Sequence, residues 1–154
     1  QKTQQRFKNA PHRLNELTLP EPAVWSGDMV KKDEDGFLYF VGRKDDMIKT
    51  SGYRVSPQEV EDTLYHIEEI KEVVIIGVPH QTLGQALIAI VIPQKKNTSA
   101  QDISRQSREL LPNYMLPAQV ILTDTLPRNS NGKFERGYWQ SKYKNIFLDQ
   151  LGKE

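Results

Sequence analysis

The chain has 154 residues, of which 27% are charged and 37% hydrophobic; this suits a folded domain with a core and excludes a disordered tract. Its 21 basic and 20 acidic residues leave a net charge of +1, so the charge balance gives no reason to expect nucleic acid or an anionic membrane as partner. It has no cysteine, which removes disulfides, thiolate nucleophiles and cysteine-based zinc sites and fits a reducing compartment such as the cytoplasm.

In chain order, residues 1–22 are polar and contain Pro11, Pro20 and Pro22, so they read as an extended strap. The start carries no apolar signal region and no initiating Met, which suggests a fragment of a longer chain. Val24–Val30 and Phe37–Val41 read as the two strands of a hairpin around the acidic, glycine-ended turn Lys31–Gly36. The stretch Gly42–Glu59 then packs four cationic and three acidic side chains with two glycines, and reads as a charged loop or tight hairpin. Within it, Ser56-Pro57-Gln58-Glu59 is a helix start: Ser56 caps, Pro57 suits the first position and Glu59 completes a capping box. Val60, Leu64 and Ile67 follow as its apolar face.

Val73–Val78 and Leu87–Ile92 are apolar runs ended by Pro79 and Pro93, as expected of strands buried on both faces. The short connection at 79–84 makes them an antiparallel pair. Neither run approaches the ~20 apolar residues of a membrane span. Ser99–Leu111 reads as a second helix, capped by Ser99 with Asp102 three residues on, with Ala100, Ile103, Leu110 and Leu111 toward the sheet and Pro112 as its stop. Pro117–Leu122 is a third strand, and Trp139, Tyr143 and Phe147 at helical spacing mark a third helix. The sum is an α+β domain with a small sheet of about three strands flanked by helices, preceded by a β-hairpin.

A few side chains stand out chemically. Lys133 ends the turn-rich run Pro127-Arg128-Asn129-Ser130-Asn131-Gly132, which would hold a long-stemmed cation at a loop tip, suited to a phosphate or carboxylate. Asp28 is either a carboxylate able to accept two hydrogen bonds from a vicinal diol or a plain surface-turn acid. Arg43 offers a planar donor fork, or else a surface ion pair with Asp45 or Asp46. His12, His66 and His80 are scattered, and no metal-ligand spacing occurs.

Three ordered stretches resemble signatures of the AMP-forming acyl-CoA synthetases, adenylation domains and luciferases. They are Trp25-Ser26-Gly27-Asp28 with Asp35–Arg43, then Gly42–Glu59, then Leu126–Lys133, so the resemblance spans most of the chain. It implies that residues 1–44 are the tail end of a large N-terminal domain and that 45–154 are the mobile C-terminal lid, with Asp45 as hinge. Lys133 would be the adenylation lysine, bridging the substrate carboxylate and ATP. Asp28 and Arg43 would bind the nucleotide. Gly52, Tyr53 and Arg54 would line the path of a pantetheine thiol, with Lys49 a candidate for the second step. ATP, AMP and coenzyme A are then the co-substrates, with Mg²⁺ carried on ATP and held by residues outside this chain.

The implied activity is an AMP-forming acid–thiol ligation, with fatty acid metabolism as one setting. An adenylation domain loading a carrier-protein phosphopantetheine is the alternative within the superfamily, and a non-catalytic α+β binding module is the alternative outside it. No glycine-rich phosphate loop occurs in these residues, so the chain by itself is expected not to form adenylates.

Overall fold

The computed structural model describes residues 7–9, 22–24 and 26–148. The chain falls into two compact units, Gln1–Asp45 and Asp46–Glu154.

In the first unit, strands β1 (Phe7–Asn9) and β2 (Pro22–Val24) form one antiparallel pair. Strands β3 (Asp28–Lys32) and β4 (Leu38–Arg43) form another. Where one strand is expected over Val24–Val30, the chain is therefore split: β2 ends at Val24 and β3 begins at Asp28. Gly27 at φ 81 supplies a left-handed backbone that no strand continues through. Most of the strap expected over 1–22 lies outside the described residues; what is described there is β1 and the first residue of β2. The β3–β4 turn is closed by Asp33, whose Oδ1 accepts the Phe37 amide at 2.8 Å while its carbonyl accepts the Gly36 amide at 3.2 Å.

The second unit is built on β7 (Ile70–His80) and β8 (Gly84–Pro93), paired antiparallel from Ile70↔Pro93 to His80↔Gly84. Continuous Val, Ile and Leu runs give both strands two buried faces, and the alternation sorts them into two cores. Val73, Ile75, Leu87, Ala89 and Val91 face one core, together with Val60, Leu64 and Ile103 of helices α1 (Pro57–Leu64) and α2 (Ala100–Leu110). Val74, Ile76, Val78, Ile88 and Ile90 face the other, with Leu126 and with Trp139 of helix α3 (Arg136–Tyr143). Each such fully buried Val, Ile or Leu side chain contributes about 1.5–3 kcal/mol. The unit is thus α+β, with helices on both faces of one sheet.

That sheet has five strands rather than about three. β9 (Gln119–Leu122) runs parallel to β8, as the third core strand. The charged stretch adds β5 (Ile48–Thr50) and β6 (Tyr53–Val55), a hairpin joined to the sheet where Thr50 meets Gly84. Three-residue strands are too short for a periodicity to register, although Ile48 and Thr50 are buried on either side of exposed Lys49.

Both helix caps form as the sequence dictates. Ser56 Oγ accepts the Glu59 amide at 3.4 Å and Ser99 Oγ accepts the Asp102 amide at 3.1 Å. Leu110, expected toward the sheet, is 45% exposed. The buried stripe of α2 runs instead through Ile103, Ser107 and Leu111 at four-residue spacing, with the Ser107 hydroxyl donating to the Ile103 carbonyl at 2.7 Å.

Gly77 breaks the aliphatic run of β7 for a steric reason. A methyl group there would lie 2.8 Å from Ile48 Cγ2 and 3.0 Å from its Cγ1. The absent side chain lets β5 close over β7.

One buried charge ties the layers together. Glu61 of α1 accepts the Ile75 amide at 2.7 Å, and Arg136 Nη2 donates to both of its carboxylate oxygens at 2.7 Å. Arg136 Nε also donates to the Ile75 carbonyl at 3.3 Å. Burial pushes the Glu61 carboxyl above its ordinary value of 4.5, while the Arg136 charge and the Ile75 amide pull the other way.

Gly77→Ala is expected to cost about 1–3 kcal/mol by overpacking. In an Ile48→Ala background that cost should shrink; strict additivity across the four proteins in urea denaturation would show that Ile48 is not what Gly77 accommodates. Because the folded Glu61 carboxyl is raised, its contribution to stability is present below about pH 4.5 and fades as pH climbs through the folded value. Arg136→Met raises that value further. The variant should lose about 3–5 kcal/mol near pH 7.5 and distinctly less at pH 5. Equal losses at the two pH values would mean that an uncompensated Glu61 charge is not the cause.

Candidate active site

Three groups of side chains carry the polar chemistry. The first lies in the β3–β4 unit, where Asp28 and Arg43 are register partners. Arg43 Nε stands 3.8 Å from Asp28 Oδ1 and its Nη2 donates to the Ser26 carbonyl at 3.1 Å. The Asp28 amide donates to Ser26 Oγ at 3.2 Å, which fixes the turn before β3. Arg43 thus has Asp28 as its ion-pair partner. Both side chains are about 40% exposed, and a pair so loose and wet contributes about 0–1 kcal/mol, so stability does not account for it. A carboxylate and a donor fork at one strand end can take a diol and a phosphate together.

The second group is the β5–β6 hairpin. Its two-residue turn, Ser51-Gly52, has φ 49 and φ 82, the left-handed pair of a type I′ hairpin. Around Gly52 there is open space: nothing lies within 4 Å of where a Cβ would be. The Lys49 amide donates to Gln85 Oε1 at 2.8 Å and the Ser51 amide to the Leu83 carbonyl at 2.9 Å, which fasten the hairpin to the β7–β8 turn. Lys49 and Arg54 are direct cross-strand partners and both are exposed. Like charges placed opposite each other cost of order 0.2–1 kcal/mol, so the pair is a local penalty that an anionic partner would relieve. Tyr53 stacks on Tyr114 with ring centroids 4.4 Å apart and planes 16° from parallel.

The third group is the loop between β9 and α3. Lys133 is exposed at its end, after Gly132 at φ 75. Arg128 anchors the loop's base. Its Nη2 reaches Glu72 Oε2 at 3.3 Å, its Nη1 donates to the Gly132 carbonyl at 2.9 Å, and its guanidinium lies 3.8 Å over the Phe134 ring. Among the described residues no acid pairs with Lys133, and no cluster of His, Asp or Glu could hold a metal ion.

The hairpin and the lysine loop sit at opposite ends of β7. Glu72 holds the lysine loop through Arg128, and the turn after His80 holds the hairpin. Eight residues at ~3.3 Å each separate them by about 26 Å along the strand.

Residues 59–133 match the family model of the AMP-binding enzyme C-terminal domain. The chain belongs to the adenylate-forming superfamily. It is 37% identical over 128 residues to 4-hydroxybutyrate–CoA ligase 1 of Metallosphaera sedula, covering 80% of this chain and 23% of that protein. It is 39% identical over 136 residues to a plipastatin synthase protein of Bacillus subtilis, covering 84% of this chain and 5% of that one. Among solved structures, ATP-bound MatB from Rhodopseudomonas palustris superposes with a TM-score of 0.77 at 28% identity, covering 95% of this chain and 27% of MatB. The chain therefore spans about a quarter or less of the length of these relatives.

The first unit brings Asp28 and Arg43 together, and the second brings together Lys49, Gly52, Tyr53 and Arg54. Lys133 stands apart from the hairpin group. Sequence reasoning passed over Tyr114, Gln85 and the Glu61–Arg136 pair, each a partner distant in sequence that no local signal reveals. Asn129 was within its reach, since an asparagine opening a turn commonly folds back on its own backbone.

Gly52→Ala should destabilise the chain by about 1–2 kcal/mol through left-handed strain alone, since its Cβ meets nothing. An unchanged urea midpoint would show that the turn can relax into another conformation.

Proposed function

We propose that this chain is the C-terminal part of an AMP-forming acid–thiol ligase. What carries the reading is Lys133, exposed at the end of a braced loop on a domain of this superfamily. In the first half-reaction a carboxylate oxygen of the acid attacks the α-phosphorus of ATP and the bond to pyrophosphate breaks, leaving acyl-AMP. Lys133 supplies positive charge to the attacking carboxylate and the phosphate as charge builds there. Asp28 accepts hydrogen bonds from the ribose hydroxyls, and Arg43 donates to the nucleotide.

In the second half-reaction a pantetheine thiolate attacks the acyl carbonyl, and AMP leaves. The hairpin serves this step: the open surface at Gly52 admits the pantetheine, Tyr53 flanks it, and Arg54 meets a phosphate of coenzyme A, with Lys49 beside it. Residues 1–44 close a larger N-terminal domain, residues 45–154 are the lid, and Asp45 is the hinge about which the lid exchanges its two ends. Acid specificity, the pyrophosphate loop and the ligands of ATP-borne Mg²⁺ belong to that larger domain, so the 154 residues alone form no adenylate. The acceptor is coenzyme A, and the setting is cytoplasmic acyl activation, fatty acid metabolism included.

A second reading has a specific support in the likeness to the plipastatin synthase protein. Here the thiol arrives on a carrier protein, and the same hairpin receives it, because both acceptors present pantetheine.

In the full-length ligase, Lys133→Ala should lower acyl-AMP formation by about 10²–10³-fold, as loss of one transition-state contact does. Thioester formation from supplied acyl-AMP should persist. Adenylation at the parent rate would return Lys133 to an ordinary loop lysine.

A further inference from the structure

Asn129 holds the backbone of Lys133 on both sides. Its Oδ1 accepts the Lys133 amide at 3.0 Å, and its own amide donates to the Lys133 carbonyl at 2.8 Å. The same Oδ1 accepts the Asn131 amide at 3.0 Å, and the Asn129 carbonyl accepts the Gly132 amide at 2.9 Å. Four hydrogen bonds from one residue thus close a five-residue loop whose side chains are all exposed. Among the described residues no core packing holds this loop, since all five of its residues are exposed. Its shape rests on Asn129 within and on Arg128 at its base, where Glu72 and the Phe134 ring hold the guanidinium.

A lysine at the end of an exposed loop has two sources of imprecision, its stem and its backbone. The stem is flexible in any lysine. The backbone is fixed here by bonds to a single side-chain oxygen and a single amide. The oxygen is the replaceable part.

We propose that Asn129 is the positioning residue of the adenylation step, setting where the Lys133 ammonium is presented. The proposal rests on the reading of Lys133 given above. Asn129 itself needs no contact with substrate. Removing its side chain frees the Lys133 and Asn131 amides and lets the loop sample other shapes. A misplacement of about 1 Å at a reacting centre can cost up to ~10²-fold in rate.

The test is made in the full-length ligase with ATP, its acid and coenzyme A, assaying the two half-reactions apart. Asn129→Ala should lower kcat for acyl-AMP formation by roughly 10- to 100-fold with little change in the KM for ATP. Thioester formation from supplied acyl-AMP should stay at the parent rate. Asn129→Asp keeps the accepting oxygen in place and should recover most of the lost rate. Asn129→Ala at the parent rate would overturn the positioning role, as would equal losses in both half-reactions, which would mark a folding role instead. Failure of the aspartate variant to recover would mean that the accepting oxygen is not what matters. Lys133→Ala, run alongside, separates the two ideas. If it adenylates normally, the functional reading falls and the positioning role with it. If it is impaired while Asn129→Ala is not, the positioning role falls alone.

Discussion

The β7–β8 ladder is the constraint on which the second unit depends. Ten register pairs hold two strands whose side chains alternate between two cores, and both cores are lined mainly by β-branched aliphatics. Neither α1 with α2 on one side nor α3 on the other could stay folded without that surface to cover, since short helices are marginal alone. The buried Glu61–Arg136 pair then crosses the ladder at Ile75, using that residue's amide and carbonyl, and so locks α1 and α3 to the same point of β7. A charge buried this way adds little net stability, but losing half of it leaves the other half stranded.

What could be read from sequence follows from how far each signal reaches. β7 and β8 were legible because doubly buried strands write themselves as continuous apolar runs, and α1 and α2 because Ser56 and Ser99 cap locally. The stretch of β5 and β6 was legible as a charged loop or tight hairpin, but not as two strands of the sheet. Its strands are three residues long and pair with each other, and what joins them to the sheet is Gly84 and Gln85, more than thirty residues from Thr50 and Lys49. Leu110 was misplaced because its helix turns four residues per buried contact at Ile103, Ser107 and Leu111, and a buried serine does not announce itself. Of the candidate site, the Lys133 loop was visible through Asn131 and Gly132, but its bracing by Glu72 was not.

The polar groups that the fold does not need are the ones that the proposed chemistry uses. Lys49 and Arg54 oppose each other across a hairpin at a cost, Asp28 and Arg43 pair too loosely to matter for stability, and Lys133 meets no acid among the described residues. Each is held by backbone geometry rather than by its own charge: a type I′ turn, a strand register, an asparagine-closed loop. Such sites keep their shape when the charged group is exchanged, so substitutions there report on chemistry more than on folding.

The length of β7 has a consequence of its own. Glu72 at one end and the His80 turn at the other make the strand a ruler between the lysine loop and the hairpin. Side chains alternate with a period of two, so inserting one residue would swap the contents of the two cores. The ruler can therefore be lengthened or shortened only in steps of two residues, about 6.6 Å each at ~3.3 Å per residue. A distance that can change only by such strides is effectively frozen once the core is set.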